Sequence, residues 1–188
     1  RVAYLANGHF VQSWNNPEFQ KLLIRSLCWT TGSDLSEKTI KCGLLGFGPS
    51  FNMGSGHAAW INATSGMEVV AVCDANEARV EAAKKEFPNL AGYFTNLDDM
   101  LKMDDLDLVV NILPHNAHYS TTIQCLNAGK HVVLEKPFCI TVEEANNMID
   151  TAHKNGLMLS LFHNRRWDGD YITIRDMIDR GLIGDVFH

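Results

Sequence analysis

The segment IKCGLLGFGPSFNMGSGH (Ile40–His57) decides the fold, because a short apolar run leads directly into a glycine-rich loop. A G-x-G-x-x-G loop that follows a strand and opens a helix is the fingerprint of a dinucleotide-binding domain. A strict version of that spacing would place the third glycine at position 51, where the sequence has Phe51. Gly54 stands three residues later, so the sequence predicts the same kind of loop, lengthened by three residues.

The residues after this loop repeat one pattern, in which apolar runs of strand length alternate with helical segments. Strands are predicted over 40–47, 68–73, 107–113, 131–134 and 157–162, and helices over 57–64, 77–86, 120–128 and 142–154. Thr141 and Glu144 form a capping box that opens the last helix. Strands that are apolar on both faces and separated by helices indicate a parallel sheet covered on both sides. The sequence therefore predicts a doubly wound α/β domain, a Rossmann fold, over residues 40–163.

The glycine loop and the end of the second strand predict a nucleotide site. Gly46 allows the tight turn, and Gly48 lets the backbone approach a pyrophosphate. Asp74 lies 26 positions after Gly48, near the spacing of about 20 expected for the acid that binds the adenosine ribose. Its charge would repel a 2′-phosphate, which favours NAD over NADP, although Arg79 could weaken that preference. The alternative is a turn that is glycine-rich for steric reasons alone. The predicted cofactor-binding residues of this part are Gly46, Gly48, Ser50, Asn52, Met53, Gly54 and Asp74.

Composition excludes several classes of protein. The 188 residues carry a net charge of −6 without a cluster of lysines and arginines, which argues against nucleic-acid binding. The five cysteines are scattered and lack a C-x-x-C pair, so neither a metal site nor a disulfide framework is expected. They favour a reducing compartment, and we expect a cytoplasmic protein. The sequence also lacks an apolar run of the roughly 18 to 20 residues that a membrane span needs.

Four later segments add a resemblance to a known family. NILPHNAHYSTT (Asn111–Thr122) and AGKHVVLEKPF (Ala128–Phe138) are followed by NRRW (Asn164–Trp167) and GLIGDV (Gly181–Val186). With the glycine loop and its following His57, these motifs resemble the glucose–fructose oxidoreductase, inositol dehydrogenase and rhizopine-catabolism (Gfo/Idh/MocA) family from residue 40 onward. His57 is displaced by the same three residues as Gly54, as expected for an insertion in the loop.

The resemblance implies Lys136, in the E-K-P motif, as the catalytic group beside the nicotinamide. Oxidation of a secondary alcohol needs a group that takes the hydroxyl proton or polarises the oxygen, and a lysine can do either. The alternative is an ordinary surface lysine at a strand end. Glu135 is expected to contact the cofactor or to orient Lys136, and His57 to cap or position the helix after the glycine loop. His118 could contact the nicotinamide side or be a helix-start histidine with satisfied hydrogen bonds. The further cofactor contacts predicted are Leu113, Pro114, His118, Glu135, Lys136, Arg166 and Trp167.

The expected function is hydride transfer between NAD and a sugar, inositol or related polyol. A glycosidase that oxidises its substrate transiently with bound NAD and a non-catalytic NAD-binding sensor are the alternatives. The family has a second, substrate-binding domain that commonly mediates oligomer formation, so a homo-oligomer is expected and residues 164–188 would begin the connection to that domain. Residues 1–32 resemble the end of a trehalose-utilisation (ThuA-like) domain, a further α/β fold represented here by a strand and a helix, and residues 33–39 would form a linker.

Overall fold

The computed structural model describes residues 39–48, 52–185 and 187. The ThuA-like segment predicted over 1–32 lies outside the described residues, as does Ser50 of the glycine loop. The side chain of Arg166 is likewise outside the description. What the sequence predicts for these residues therefore stays a prediction.

Six parallel strands form a single sheet in the described part of the chain. They are β1 (Ile40–Leu45), β2 (Met67–Cys73), β3 (Gly92–Phe94), β4 (Leu108–Asn111), β5 (His131–Glu135) and β6 (Leu159–Phe162). Their order across the sheet is β3-β2-β1-β4-β5-β6, and each neighbouring pair is parallel. The connections run outward in one direction from β1 to β3 and in the other from β4 to β6. This confirms the doubly wound α/β fold and places the switch point between β1 and β4.

Helices connect the strands. They are α1 (Met53–Asn62), α2 (Glu77–Glu86), α3 (Leu97–Leu101), α4 (His115–Asn127) and α5 (Val142–Lys154). A 3₁₀ helix (Asn164–Trp167) and α6 (Gly169–Asp179) follow β6. The predicted capping box of α5 is confirmed: the Glu144 amide donates to Thr141 Oγ1, and the Thr141 amide donates to Glu144 Oε2, each at 3.2 Å. These bonds satisfy two amides that the start of a helix leaves without intrahelical partners.

The sheet is buried on both faces. In β4, Leu108 and Val110 belong to the core layer on one side, while Val109 belongs to the layer on the other side. All three side chains are at most 3% exposed. A strand that is apolar at every position fits such a two-sided environment, because successive side chains point to opposite faces.

Several predicted boundaries were wrong. Helix α1 begins at Met53, four residues before the predicted start, so His57 lies inside the helix and does not cap it. Helix α4 begins at His115, so His118 lies one turn into the helix instead of opening it. Both first turns are rich in small or polar residues, which show no apolar period. Strand β3 was missed because three residues are too few for a pattern, and its pairing with β2 defines it.

Candidate active site

The glycine loop begins where the backbone leaves β1. Gly46 has a φ of +103°, and its amide donates to the carbonyl of Cys73 at 2.7 Å. A Cβ on Gly46 would lie 3.2 Å from the carbonyl carbon of Ile112 and would also face the side chain of Leu113. The position therefore requires glycine for both its conformation and its space. The loop thus starts at the switch point, close to the end of β4.

Gly54 allows helix α1 to begin directly against the loop. A Cβ at this position would lie 2.6 Å from Cδ2 of Phe47, a distance that real Cβ atoms do not reach. At Gly56, two residues later, the added atom would make an ordinary 3.5 Å contact with Trp60. Close packing of the first helix is the role of the third fingerprint glycine. Gly54 has this geometry in the lengthened loop.

The N-terminal end of α1 can accept an anion. Its N-cap residue, Asn52, is exposed and left-handed with a φ of 50°, and within the described residues its side chain makes no capping hydrogen bond. Met53 and the residues of the first turn include no acidic side chain. The first amides of a helix carry partial positive charge and lack intrahelical partners, which suits a phosphate group.

Asp74 joins the end of β2 to the glycine loop. Its Oδ2 accepts from the Phe47 amide at 2.8 Å, and its Oδ1 accepts from the Asn76 amide at 2.9 Å. Each carboxylate oxygen retains a second acceptor position, so both can still bind a ribose hydroxyl. The guanidinium of Arg79 lies 3.4 Å from where a Cβ would stand on Gly48. A negative and a positive side chain therefore flank the same loop.

Glu135 and Lys136 stand at the end of β5. Glu135 is only 8% exposed, whereas Lys136 is exposed. Glu135 Oε1 lies 3.0 Å from His57 Nε2, and Oε2 accepts from the Lys136 amide at 2.9 Å. Burial alone would raise the pKa of the Glu135 carboxyl, but the hydrogen bond from His57, together with the Lys136 amide and the nearby Lys136 charge, outweighs it and holds this pKa below its usual value. The buried glutamate is thus ionised and hydrogen-bonded to the backbone of the exposed lysine.

His118 connects α4 with the residue after Lys136. The ring is fully buried, with Nδ1 at 2.8 Å from the carbonyl oxygen of Pro137 and Nε2 at 2.7 Å from that of Leu113. Both ring nitrogens face backbone carbonyl oxygens, so whichever nitrogen carries the proton donates within the protein, which fits the alternative of a structural histidine. A contact between this ring and a cofactor stays a prediction.

Asn111, at the end of β4, is a residue that sequence reasoning missed. It is fully buried, and its amide nitrogen donates to Thr121 at 2.8 Å and to Thr122 at 3.2 Å. Its Oδ1 accepts from the Leu113 amide at 3.3 Å, which shapes the turn into α4. A single polar residue closing an apolar strand was the available signal.

The structure brings most of the predicted residues to one edge of the sheet. Because parallel strands end on the same side, the carboxyl ends of β1, β2, β4 and β5 hold Gly46, Asp74, Leu113 and Lys136 together. Pro114 is the exposed N-cap of α4, and Trp167, 45% exposed, ends the 3₁₀ helix after β6. Open α/β sheets bind their ligands in this crevice at the carboxyl ends of the strands.

The described residues contain no group of three His, Cys, Asp or Glu side chains that could hold a metal ion. Burial raises the pKa of the Cys73 thiol, next to Asp74, to about 11, so it is a poor nucleophile. In the same part of the chain, no helix combines the length and the apolar character that crossing a membrane requires.

The switch-point glycine loop, the carboxylate after β2 and the lysine after β5 define a dinucleotide-binding domain of the oxidoreductase class. Residues 40–163 match the family model described as the oxidoreductase family with an NAD-binding Rossmann fold. The chain belongs to this family, Gfo/Idh/MocA, as its motifs predicted.

Individual relatives include two dehydrogenases of inositols. The chain is 34% identical over 148 residues to scyllo-inositol 2-dehydrogenase (NADP(+)) IolW of Bacillus subtilis, covering 79% of this chain and 40% of that protein. The apo scyllo-inositol dehydrogenase of Lactobacillus casei superposes with a TM-score of 0.70 at 32% identity, covering 79% and 44% of the two chains. The WlbA dehydrogenase of Bordetella pertussis, solved with NADH and UDP-GlcNAcA, gives a TM-score of 0.72 at 26% identity, covering 80% and 45%. The chain spans less than half of the length of each of these proteins.

Proposed function

We propose that this chain carries the cofactor-binding half of an oxidoreductase that transfers a hydride between NAD and a sugar, an inositol or a related polyol. The observation that carries the proposal is the pairing of an accessible Lys136 with the glycine loop at one edge of the sheet. The names of the inositol dehydrogenases among its relatives support the substrate class.

The described residues fit a bound dinucleotide. The backbone at Gly46 and Gly48 and the first amides of α1 would hold the pyrophosphate, and Asp74 would accept hydrogen bonds from the adenosine ribose. The nicotinamide ring supplies the hydride acceptor or donor. We also retain the further cofactor contacts as proposals: Ser50, Asn52, Met53, Gly54, Leu113, Pro114, His118, Glu135, Arg166 and Trp167.

Lys136 performs the proton chemistry in this proposal. As hydride leaves the carbon of an alcohol, the hydroxyl must lose its proton, and the Lys136 amine either takes that proton or polarises the oxygen as a cation. Glu135 is buried, and its two carboxylate oxygens are engaged by His57 and by the Lys136 backbone amide. It therefore orients the lysine and does not act as the base itself.

Asp74 supports NAD as the preferred cofactor. A carboxylate beside the adenosine ribose repels a 2′-phosphate, whereas the nearby Arg79 would attract it, and IolW carries NADP(+) in its name. We propose that the carboxylate dominates, because it is fixed by two backbone amides. Titration calorimetry of the 188-residue chain with both cofactors tests this, and an equal or reversed preference would contradict it.

The reaction is tested with the whole protein and a panel of sugars and polyols. Net formation of NADH identifies a dehydrogenase. Substrate cleavage without net NADH would identify a glycosidase that uses NAD transiently, and tight NAD binding without turnover of any substrate would identify a sensor.

Three broader features are also proposed. Residues 1–32, with NGH and NPEF, would be the end of a ThuA-like domain, which joins the protein to carbohydrate metabolism. The free thiols of Cys42, Cys73, Cys125 and Cys139 fit a cytoplasmic location. The whole protein would be a homo-oligomer, which light scattering of the purified protein can test.

A further inference from the structure

One buried contact joins the helix of the glycine loop to the segment that carries Lys136. His57 lies in α1, 1% exposed, and its Nε2 is 3.0 Å from Oε1 of Glu135. The ring packs edge-on against Phe162, with centroids 4.6 Å apart, and against Trp60 at 5.3 Å. This packing fixes the direction in which the imidazole presents its nitrogens.

The surroundings of the ring select one tautomer. Nδ1 is buried and has no hydrogen-bond partner among the described residues, whereas Nε2 faces a carboxylate oxygen. A proton on Nδ1 would be a buried donor without an acceptor, which is costly, but a proton on Nε2 is donated to Glu135. His57 is therefore a donor to this glutamate.

Glu135 is hydrogen-bonded both to His57 and to the backbone of Lys136, so it connects the two residues. With Oε1 bound by His57, the other oxygen accepts from the Lys136 amide at 2.9 Å. If His57 offered no donor, one buried carboxylate oxygen would lose its partner, and the group would turn toward water. The amide of Lys136 would then lose its fixed acceptor.

We propose that His57 is a positioning residue for Lys136: through Glu135 it fixes the backbone that carries the lysine, and so ties the lysine to the helix that begins at the cofactor loop. The inference rests on the proposed function of Lys136, since positioning matters only where the lysine reacts. His57 itself touches neither substrate nor cofactor in this scheme.

Three variants of the whole protein test whether His57 affects turnover. His57→Leu removes the donor, and we expect kcat to fall about tenfold or more, since small misplacements of reacting groups have effects up to about 100-fold. His57→Gln keeps an N–H at the place of Nε2 and should restore kcat to within about threefold of the parent. Met148→Ala, at a buried position of α5 in the core layer that does not contain Phe162, is the control for lost packing; it should lower the melting temperature and leave kcat within the same range. NAD affinity should change little in all three.

Nuclear magnetic resonance of the 188-residue chain tests the connection without turnover. In His57→Leu, the amide resonance of Lys136 should shift and the pKa of Glu135, followed by its carboxyl carbon, should rise, while His57→Gln should retain the parental pattern. The inference is overturned if the Lys136 amide is unchanged in His57→Leu, if glutamine fails to rescue, or if Met148→Ala lowers kcat as much as His57→Leu. If the parent protein oxidises no polyol, the proposed function fails, and the resonance data still decide whether His57 positions Lys136.

Discussion

The glycine loop after β1 and the E-K-P segment after β5 lie at the same edge of the sheet but are built in different ways. The loop depends on missing side chains: a Cβ would crowd the Ile112 backbone at Gly46, where φ is positive, and would clash with Phe47 at Gly54. The E-K-P segment depends on side chains that are present, since His57 and Glu135 support an accessible Lys136.

This difference separates binding from chemistry. Backbone amides and a helix end can hold a phosphate without offering a group that exchanges protons. A lysine on a supported strand end can exchange protons but contributes little to the recognition of a dinucleotide. Substitutions in the two regions should therefore change different measured quantities, affinity in the first and kcat in the second.

The largest effect is expected for Lys136→Ala in the whole protein. Loss of the acid–base or polarising group should lower kcat by roughly 10²–10⁴-fold, while NAD affinity changes little. Lys136→Arg should rescue poorly, since a guanidinium does not give up its proton at a working pH. Lys85→Ala, at an exposed position of α2, is the control and should behave like the parent.

A pH–rate profile of the Lys136 variants, with separate NAD titrations, measures these effects. Parental kcat in the alanine variant would make Lys136 a surface lysine, and loss of NAD binding alone would make it a cofactor anchor.

A matched pair of glycine substitutions tests the other region. Gly54→Ala forces Phe47 to move, and after a gain in helix propensity of about 1 kcal/mol we expect a net loss of about 1–2 kcal/mol in the free energy of unfolding, with weaker NAD binding. Gly56→Ala lies in the same helix with ordinary space around the new atom. It should be stabilising by about 0.5–1 kcal/mol. Urea denaturation compares the two, and equal stability changes would refute the packing role of Gly54.

The glycine loop could be predicted from the sequence more completely than the contacts of the E-K-P segment. The backbone roles of the loop could be predicted, because glycines and a strand-end acid at fixed spacing are typical of a nucleotide-binding turn. The parallel fold could be predicted from the apolar strands that alternate with helices. Contacts between segments that are distant in sequence could not be predicted. The His57–Glu135 pair joins positions that are far apart in sequence, and the surroundings of the His118 ring depend on where the carbonyls of Leu113 and Pro137 come to lie. Only tertiary folding determines such partners.

Asp74→Ser should change the preference of the glycine-loop region for NAD over NADP. Removing the carboxylate removes its repulsion of a 2′-phosphate, so the ratio of NAD to NADP affinity should narrow by about fivefold, which corresponds to about 1 kcal/mol. Absolute NAD affinity should fall as well, because the Phe47 amide loses its acceptor. Arg79→Ala is the opposite control and should weaken NADP more than NAD. Calorimetry measures both, and an unchanged ratio in Asp74→Ser would remove Asp74 from cofactor discrimination.

The smallest effect should come from the pH dependence of stability at Glu135. Its pKa in the folded protein lies below the ordinary value of 4.5, so the ionised carboxyl stabilises the fold at pH values above 4.5. That contribution is lost as the pH falls from about 4.5 through the lower folded-state pKa, because the unfolded chain takes up the proton first. Glu135→Gln has no such proton to bind. It should therefore be less stable than the parent at pH 7, with a difference that shrinks as the pH falls below 4.5. Urea midpoints at pH 7, 5, 4 and 3 measure this, and midpoints that stay parallel would show that the buried carboxylate is not stabilised by His57 and the Lys136 amide.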